Sequence, residues 1–474
     1  MRLVVFSGQF IHPELQVLFG KIIPIELPVA NKSLMERIDQ SVKNHFPKKT
    51  ILIPENYVIP AKFIPIDWEI KKINQNFKLI DVFQFVANEY KEEKLFLHYG
   101  DSIFDFDKIE YADNSILVGK ARFNYHWGIV NDNQVFTGGM CIDGNLLARL
   151  VKNCFDFSDA LEKFKVNLKI SNTEYWLDFG HSMTYFESRK YFLETRNFND
   201  LKMDAGFILK SSTDIFKMYS EYEWLRKLSK IIPHHIPALR KFRLLNSTKA
   251  EYGLEYLKYL SLAEIYVFGK NTEEFYRNLF EELKKLLNSI RSANTKFSES
   301  KIPNLYTAKL TERKSEIFSS IDKLKISKEN FEKIFEENFN YFSGKNQKIT
   351  IMHGDYCFSN ILFDIVANKP YLIDPRGYIS KNQEPTILGP YLYDEVKLAH
   401  SFVCQYDFII AGRDIDYKTF DRRIDFFLEY FQMEKEFLLH GLINLFLTMI
   451  PLHSDSKERQ LKFVEMVTYL NRQK

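Results

Sequence analysis

The sequence is poor in cysteine, in long apolar runs and in clustered charge of one sign. Its four cysteines among 474 residues have no paired spacing, which argues against a disulfide framework or a zinc site and indicates a reducing, cytoplasmic compartment. No run of about 18 apolar residues occurs, so we expect no membrane span. The formal net charge is +3 and no arginine- or lysine-rich block is present, so nucleic acid is not an expected partner.

The chain is long enough for two domains, and we predict a boundary between residues 1–190 and residues 191–474. The first part alternates short apolar strands with segments of helical spacing, which is typical of an α/β domain. The predicted strands are 3–6, 49–54 and 95–99, and the predicted helices are 34–42 and 81–90.

Polar residues stand at fixed offsets between two apolar runs in residues 349–377. Asp355 follows a His-Gly pair, Asn360 comes five residues later, and Asp374 ends the second apolar run. A kinase needs one carboxylate to orient the attacking hydroxyl and accept its proton, and an amide oxygen and a second carboxylate to hold Mg²⁺ on the nucleotide phosphates. The spacing from Asp355 to Asn360 matches the kinase catalytic loop. The alternative is two β-hairpins with surface carboxylates.

These residues resemble those of the aminoglycoside phosphotransferase and choline kinase family, whose members are small-molecule kinases with an α+β protein-kinase-like fold. The resemblance implies that Asp355 is the catalytic base, that Asn360 is a metal ligand and that Asp374 is the main Mg²⁺ ligand. It also implies that His353 braces the loop. ATP and Mg²⁺ are the cofactors implied.

The strand predicted at 205–210 ends in Lys210, and the helix predicted at 214–228 contains Glu221 and Glu223. A kinase places a strand lysine on the α/β-phosphates and holds it there with a helix glutamate. We assign these roles to Lys210 and Glu221, with Glu223 as the alternative partner. A solvated strand end is the second interpretation of this lysine.

The strand predicted at 252–257 corresponds, by the same resemblance, to the hinge that presents backbone groups to adenine. Glu255, Tyr256 and Leu257 are therefore candidate nucleotide-binding residues. An ordinary buried strand is the alternative, because side chains alone do not decide between the two.

The residues after the motif resemble the family's helix that follows the metal aspartate and the helices that wall its acceptor pocket. By this resemblance Asp394 is expected to anchor the loop that carries Asp374. Lys397 and His400 share one face of the predicted helix, at i and i+3, and are candidate substrate contacts, as is His453. Packing roles for these residues stay open.

Asp101 follows the strand predicted at 95–99, and Asp178 lies in a Trp-Leu-Asp-Phe-Gly segment. Ligands of open α/β sheets bind at the carboxyl ends of strands. Both segments resemble the sugar-phosphate nucleotidyltransferases, which have a Rossmann-related mixed sheet and in which two such aspartates bind the catalytic divalent metal. That family has a glycine-rich loop with an arginine where residues 7–12 have one glycine and no arginine. An active transferase and an inactive structural or sugar-sensing domain both stay open.

Together the two resemblances predict an ATP- and Mg²⁺-dependent kinase that phosphorylates a hydroxyl of a sugar or polyol. The fusion suggests supply of a nucleotide-activated precursor for a bacterial surface (capsular) polysaccharide. A bifunctional kinase and nucleotidyltransferase, which uses CTP or another nucleoside triphosphate to form an NDP-sugar or CDP-polyol, is an alternative. A choline or amino-alcohol kinase and a pseudoenzyme scaffold also stay open.

Overall fold

The computed structural model describes residues 1–60, 63–123, 125, 128–192, 200–293, 303–345, 347–381 and 384–474. The chain divides into two compact units. The first comprises Met1–Leu193 with Phe268–Lys270, and the second comprises Glu194–Val267 with Asn271–Lys474. The functional domain boundary near residue 190 stays a prediction.

The first unit alternates strands and helices along the chain. Its strands are β1 (Arg2–Phe6), β2 (Pro28–Val29), β3 (Lys32–Ser33), β4 (Lys48–Pro54), β5 (Trp68–Ile73), β6 (Lys94–Tyr99), β7 (Ser102–Phe104), β8 (Ser115–Lys120), β9 (Ile129–Asn131), β10 (Gln134–Asp143), β11 (Lys169–Asn172) and β12 (Trp176–Asp178). Its helices are α1 (Pro13–Phe19), α2 (Leu34–Val42), α3 (Leu79–Glu89), α4 (Gly144–Val151), α5 (Phe157–Asn167) and α6 (Ser182–Arg189).

A mixed sheet organises this unit, in the order β11-β8-β10-β6-β1-β4-β5, with β9 paired to β10. Strand β1 is parallel to both β4 and β6, whereas β10 is antiparallel to β6 and β8. The central strand β1 is apolar on both faces, with Leu3, Val4 and Val5 fully buried, because helices cover a parallel sheet on both sides. The prediction of an α/β first domain with a mixed sheet is confirmed.

The second unit begins with strands and continues mainly as helices. Its strands are β13 (Asp200–Asp204), β14 (Phe207–Ser212), β15 (Leu239–Asn246), β16 (Lys249–Glu255), β17 (Leu260–Ser261), β18 (Ile349–Ile351), β19 (Ile361–Asp364), β20 (Lys369–Leu372) and β21 (Leu388–Pro390). Its helices are α7 (Ile215–Leu228), α8 (Leu262–Phe268), α9 (Glu273–Ser292), α10 (Leu305–Lys323), α11 (Lys328–Ser343), α12 (Tyr393–Phe402), α13 (Tyr406–Ile410), α14 (Phe420–Tyr430), α15 (Lys435–Met449) and α16 (Lys457–Arg472).

An antiparallel sheet in the order β13-β14-β16-β15 forms the first lobe of this unit, with α7 packed against it. Two small sheets carry the loops of the second lobe. In one, β19 pairs with both β17 and β20, and in the other, β18 pairs with β21. Helix α15 is buried along Phe437–Met449 and is largely apolar, as is typical of a helix in the centre of a core. This α+β arrangement confirms the predicted fold class.

One sequence expectation needs correction in this unit. Strand β16 ends at Glu255, so Tyr256 and Leu257 lie beyond it and not within a strand that runs to 257. Helix α10 buries Leu305, Tyr306 and Lys309 against the rest of the unit. Among the described residues no helix is both long enough and apolar enough to cross a bilayer.

Candidate active site

The loop after β18 carries His353, Gly354 and Asp355 and is held by the first turn of α12. The amide of His353 donates to Asp394 Oδ2 at 2.6 Å, and the amide of Gly354 donates to Asp394 Oδ1 at 2.8 Å. Gly354 has φ of 76°, which favours glycine. Asp394 therefore anchors the loop of Asp355, and the prediction that it anchors the loop of Asp374 is wrong on these contacts.

His353 braces the same loop from inside the core. Its ring is fully buried, lies 5.0 Å from the Trp224 ring, and accepts the Asp355 amide on Nδ1 at 3.3 Å. Trp224 Nε1 donates to the Met352 carbonyl at 2.7 Å. The buried His353 ring lies between the Trp224 indole and the loop backbone, and it thereby fixes the direction in which the Asp355 side chain points.

Both oxygens of Asp355 have partners. Asn360 Nδ2 donates to Oδ2 at 2.8 Å, and Lys397 Nζ lies 2.7 Å from Oδ1. Burial alone would raise the pKa of Asp355, but Lys397 outweighs it and holds the pKa well below its usual range. The side chain keeps 42% of its surface exposed. Asp355 is therefore an ionised, oriented carboxylate that a substrate hydroxyl can reach.

The second loop, after β20, is tied to the first by its backbone. The amide of Ile373 donates to the Asn360 carbonyl at 3.1 Å, and the amide of Arg376 donates to the His353 carbonyl at 2.9 Å. Asp374 lies between these two bonds with φ of 54°, a conformation that non-glycine residues rarely adopt. Such backbone strain persists where the surrounding structure enforces it, commonly at functional sites.

Lys210 on β14 joins the first lobe to Asp374. Its Nζ lies 2.6 Å from Glu221 Oε2 and 3.0 Å from Asp374 Oδ1, and the side chain is buried. Burial would lower the pKa of Lys210, but Asp374 and Glu221 together raise it, so the ammonium is charged. Tyr252 also donates to Glu221 Oε2 at 3.0 Å. Glu223, the alternative partner, instead pairs with Arg226.

Oxygen ligands for a divalent cation are present beside these loops. Mg²⁺ prefers carboxylate and amide oxygens. Asn360 commits its Nδ2 to Asp355, so its Oδ1 is the atom that remains for a cation, and Asp374 keeps 37% of its side-chain surface exposed. The donor set fits a hard divalent ion.

Backbone hydrogen bonds at the end of β16 show which of the predicted nucleotide-base contacts already have partners within the protein. The amide of Glu255 donates to the Ala238 carbonyl at 2.9 Å, and the amide of Tyr256 donates to the Gly206 carbonyl at 2.8 Å. These two N–H groups are therefore used within the protein. The amide of Leu257 has no acceptor among the described residues, and its contact with a nucleotide base stays a prediction.

The three predicted acceptor contacts have different environments. Lys397 contacts Asp355, as described above. His400 is fully buried, with its ring 4.0 Å from that of Tyr406, and burial lowers its pKa well below the usual value. His453 Nδ1 lies 3.0 Å from Arg459 Nη1, and its Nε2 lies 3.4 Å from Tyr406 OH. His400 thus packs in the core, and only Lys397 touches the candidate base.

Sequence reasoning missed Lys309 and Arg313 on α10 and Arg376 after the second loop. Lys309 and Lys397 both act on the pKa of Asp355 in the direction that favours its ionised form, and the two arginines act on Lys309. The i, i+4 spacing of Lys309 and Arg313 was the available signal, but a charged helix face usually points to solvent.

In the first unit, strand pairing brings Asp101 and Asp178 together. Strand β12 is antiparallel to β7 with Asp178 opposite Ser102, so Asp101 at the start of β7 faces the end of β12. Both carboxylates flank Gly180: a Cβ there would lie 2.8 Å from Asp101 Oδ2 and 3.3 Å from Asp178 Oδ1. Burial and the Asp178 charge raise the pKa of Asp101 to about 7.

A cleft of about 550 Å³ opens beside this pair, and Asp101, Gly180 and residues 9–13 contribute to its wall. No lysine or arginine lines it among the described residues. Residues 9–12, which line this cleft, belong to the segment 7–12, which lacks the arginine of the nucleotidyltransferase loop. The two aspartates lie close together beside the cleft, and their role as metal ligands stays a prediction.

Solved structures similar to each unit have low sequence identity. A Bacillus anthracis protein described as a glucose-1-phosphate thymidylyltransferase, solved with sucrose, is 11% identical, with 41% of this chain and 96% of that chain covered and a TM-score of 0.32. APH(2")-IIia, solved with GDP and kanamycin, is 12% identical, with coverages of 59% and 92% and a TM-score of 0.41. A thermostable mutant of the aminoglycoside phosphotransferase APH(4)-Ia, with AMP-PNP and hygromycin B, is 9% identical, with coverages of 58% and 92% and a TM-score of 0.40.

Comparison with curated proteins gives no significant match. The family model described as the phosphotransferase enzyme family matches residues 186–407. That range includes Lys210, Glu221, Asp355, Asn360 and Asp374. The part of the chain that carries these residues is therefore similar to the phosphotransferase enzyme family.

Proposed function

We propose that this protein is an ATP- and Mg²⁺-dependent kinase that phosphorylates a hydroxyl group of a sugar or polyol. The observation that carries the proposal is the joining of three sequence-distant parts at one place. Lys210 contacts both Glu221 and Asp374, and the Asp374 loop is hydrogen-bonded to the loop of Asp355 and Asn360. This is the set of groups that phosphoryl transfer requires.

In the proposed reaction the acceptor hydroxyl binds against Asp355, which takes its proton as the oxygen attacks the γ-phosphorus. The bond from the γ-phosphorus to the bridging oxygen breaks, and ADP leaves. Lys210 holds the α/β-phosphates, and the Leu257 amide is available to the base. Asn360 and Asp374 would hold Mg²⁺, which neutralises the charge of the phosphates.

The test is phosphorus NMR of the purified protein with Mg²⁺-ATP and a panel of sugars, polyols and amino alcohols. A new phosphomonoester signal is expected from the native chain and not from Asp355→Asn or Asp374→Asn. A positioned base contributes roughly 10²–10⁴ in rate. Asp425→Asn is the matched control, because Asp425 is exposed on α14. Near-native turnover by either active-site variant would refute the assigned roles.

A second activity, nucleotidyl transfer by the first unit, is favoured by the adjacent Asp101 and Asp178. If present, it would consume the kinase product and CTP or another nucleoside triphosphate, and would release pyrophosphate. A diphosphate ester that appears only when CTP or another second nucleoside triphosphate is added would reveal it.

The proposed place of the kinase is the supply of a nucleotide-activated precursor for a bacterial surface polysaccharide, in the cytoplasm. Phosphorylation of a hydroxyl is the step that precedes nucleotide activation, and the fused first unit supports this order. The four cysteines are buried and free, which fits a reducing compartment. Detection of the phosphorylated product in cells, and its loss when Asp374 is replaced, tests this placement.

A further inference from the structure

Four basic side chains on three different segments lie near one another: Lys397 and Lys309 act on Asp355, and Arg376 and Arg313 act on Lys309. Lys309 and Arg313 are on α10, Arg376 follows the second loop, and Lys397 is on α12. We refer to these four residues as the basic cluster. Three members lower the pKa of Lys309, after the larger effect of burial, in the order Arg376, Lys397 and Arg313. The positive charges are therefore near enough to repel one another.

Few acidic groups offset this charge. Asp355 pairs with Lys397, whereas no carboxylate of the described residues lies within ion-pair distance of Lys309, Arg313 or Arg376. Glu312 acts on Arg313 most weakly of its neighbours and is exposed. Buried charges are ordinarily paired, so this excess of positive charge is suited to an anionic ligand.

The protein itself holds the members of the cluster in place through neutral groups. Lys309, 6% exposed, contacts the Tyr393 hydroxyl. Arg313 Nη1 donates to the Thr448 carbonyl at 2.8 Å. Arg376 donates from Nε to the Tyr378 carbonyl at 2.9 Å and from Nη2 to the Ile379 carbonyl at 3.0 Å. Carbonyl partners orient a guanidinium without neutralising it, so its charge remains for a ligand.

We propose that the acceptor is an anion, a hydroxyl compound with a carboxylate or phosphate that the basic cluster binds while its hydroxyl meets Asp355. This inference rests on the proposed kinase function and specifies its substrate class. The same charges disfavour polycationic acceptors and choline-like amines, because like charges held close together repel.

The test separates binding from transfer. Isothermal titration compares matched compounds: glycerol, glycerate and glycerol 3-phosphate, then glucose, glucuronate and glucose 1-phosphate, with choline as the cation. We expect at least one acid in either series to bind at least about tenfold more tightly than its neutral relative, since one or two charge-assisted hydrogen bonds contribute that much. The carboxylate and phosphate members identify which anion is preferred.

Variants locate the binding. Arg313→Gln and Arg376→Gln should each weaken acid binding about tenfold or more, and Arg313→Lys should retain most of it because the charge remains. Lys314→Gln is the control, since Lys314 is on the same helix, is 54% exposed and pairs with Glu336. Lys314→Gln should change neither acid binding nor ATP hydrolysis measured without acceptor. Thermal melting establishes that each variant is folded.

Equal binding of acids and their neutral relatives, or tight acid binding that both arginine variants retain, would overturn the proposal. Acids that bind through the basic cluster without being phosphorylated would support the anion site and count against the proposed kinase function. Phosphorylation of the neutral relatives alone would support the kinase and overturn the anion site.

Discussion

At the residue scale, the ion pair of Lys210 is buried and has a specific energetic consequence. Glu221 is 2% exposed, and without the lysine it keeps Tyr252 at 3.0 Å and Lys217 at 3.7 Å as partners. Removal of one partner from a buried pair costs about 3–5 kcal/mol, whereas apolar replacement of both is often neutral. The stability of the protein should therefore suffer more from removal of one member of the pair than from apolar replacement of both.

We predict that Lys210→Met destabilises the protein by about 3–5 kcal/mol and that Lys210→Met with Glu221→Leu recovers most of this loss while remaining inactive. Urea unfolding measures the first effect and turnover the second. Lys249→Met is the control: Lys249 pairs with Asp200, which is 68% exposed, and surface pairs contribute about 0–1 kcal/mol. A Lys210→Met variant no less stable than the control would contradict the prediction.

The pair of Lys397 with Asp355 predicts a change in the pH dependence of the reaction. In the native chain the pKa of Asp355 is held below its usual range, so the base stays ionised on the acid side of neutrality. Lys397→Met removes the largest opposing effect and leaves burial, which raises the pKa, with Lys309 and His353 as weaker opposing charges. The acidic limb of kcat/KM should therefore move to higher pH.

The measurement is kcat/KM against pH, which reports the pKa of the free enzyme's base. Activity requires the ionised carboxylate, so it is lost as pH falls through that pKa. Lys381→Met is the control, because Lys381 pairs with Asp214, outside the loops of the candidate site. An acidic limb at the same pH in native and Lys397→Met protein would refute the role of this lysine.

At the element scale, helix α7 packs so closely against the turn after Asp374 that position 377 has room only for a glycine. Gly377 has φ of 72°, and a Cβ there would lie 2.2 Å from the Ser220 carbonyl oxygen and 3.1 Å from the Glu221 amide nitrogen. Both atoms belong to the backbone of α7, which cannot move away as a flexible side chain can. The turn and the helix that carries Glu221 are thus fitted to one another.

We predict that Gly377→Ala destabilises the protein more than Gly206→Ala does. Gly206 also has positive φ, 81°, but nothing lies within 4 Å of its added Cβ. The left-handed backbone costs about 1–2 kcal/mol at either position, and only Gly377→Ala adds a backbone clash. Urea unfolding compares the free energies of unfolding of the two variants. Titration with nucleotide measures the affinity that is lost when the Asp374 loop is displaced. Equal losses in the two variants would contradict the fit described here.

At the scale of the whole molecule, the two compact units carry separate sets of carboxylates. Asp101 and Asp178 belong to the first unit, and Asp355 and Asp374 belong to the second. The two sets have no residue in common, and each belongs to a separate candidate site. Their activities can therefore be removed one at a time.

We predict that Asp101→Asn with Asp178→Asn leaves phosphomonoester formation unchanged and abolishes any pyrophosphate release, because substitutions without shared partners act independently. Asp374→Asn should abolish phosphomonoester formation while pyrophosphate release continues when the phosphorylated compound is supplied. Asp107→Asn, at a position that is 87% exposed, is the control for the first unit. A kinase rate that falls with the first-unit pair would show that the two activities are linked.

Much of the candidate site was predictable from the sequence because its contacts are short-range along the chain. Asn360 donates to the side chain and carbonyl of Asp355, five residues earlier. Lys210 and Glu221 are joined by a strand and the helix directly after it. Local spacing of this kind predicts contact, and the structure brings these residues together as the sequence indicated.

By itself the sequence determined the two fold classes, the loop with Asp355 and Asn360, the position of Asp374 and the aspartates of the first unit. Only the tertiary structure decided that Asp394 holds the loop of Asp355, that Lys309 acts on the candidate base and that Arg313 acts on Lys309. The physical reason is that backbone geometry and hydrogen bonds within a loop are set by neighbouring residues. A charge cluster is made by helix packing, which joins residues far apart in the chain.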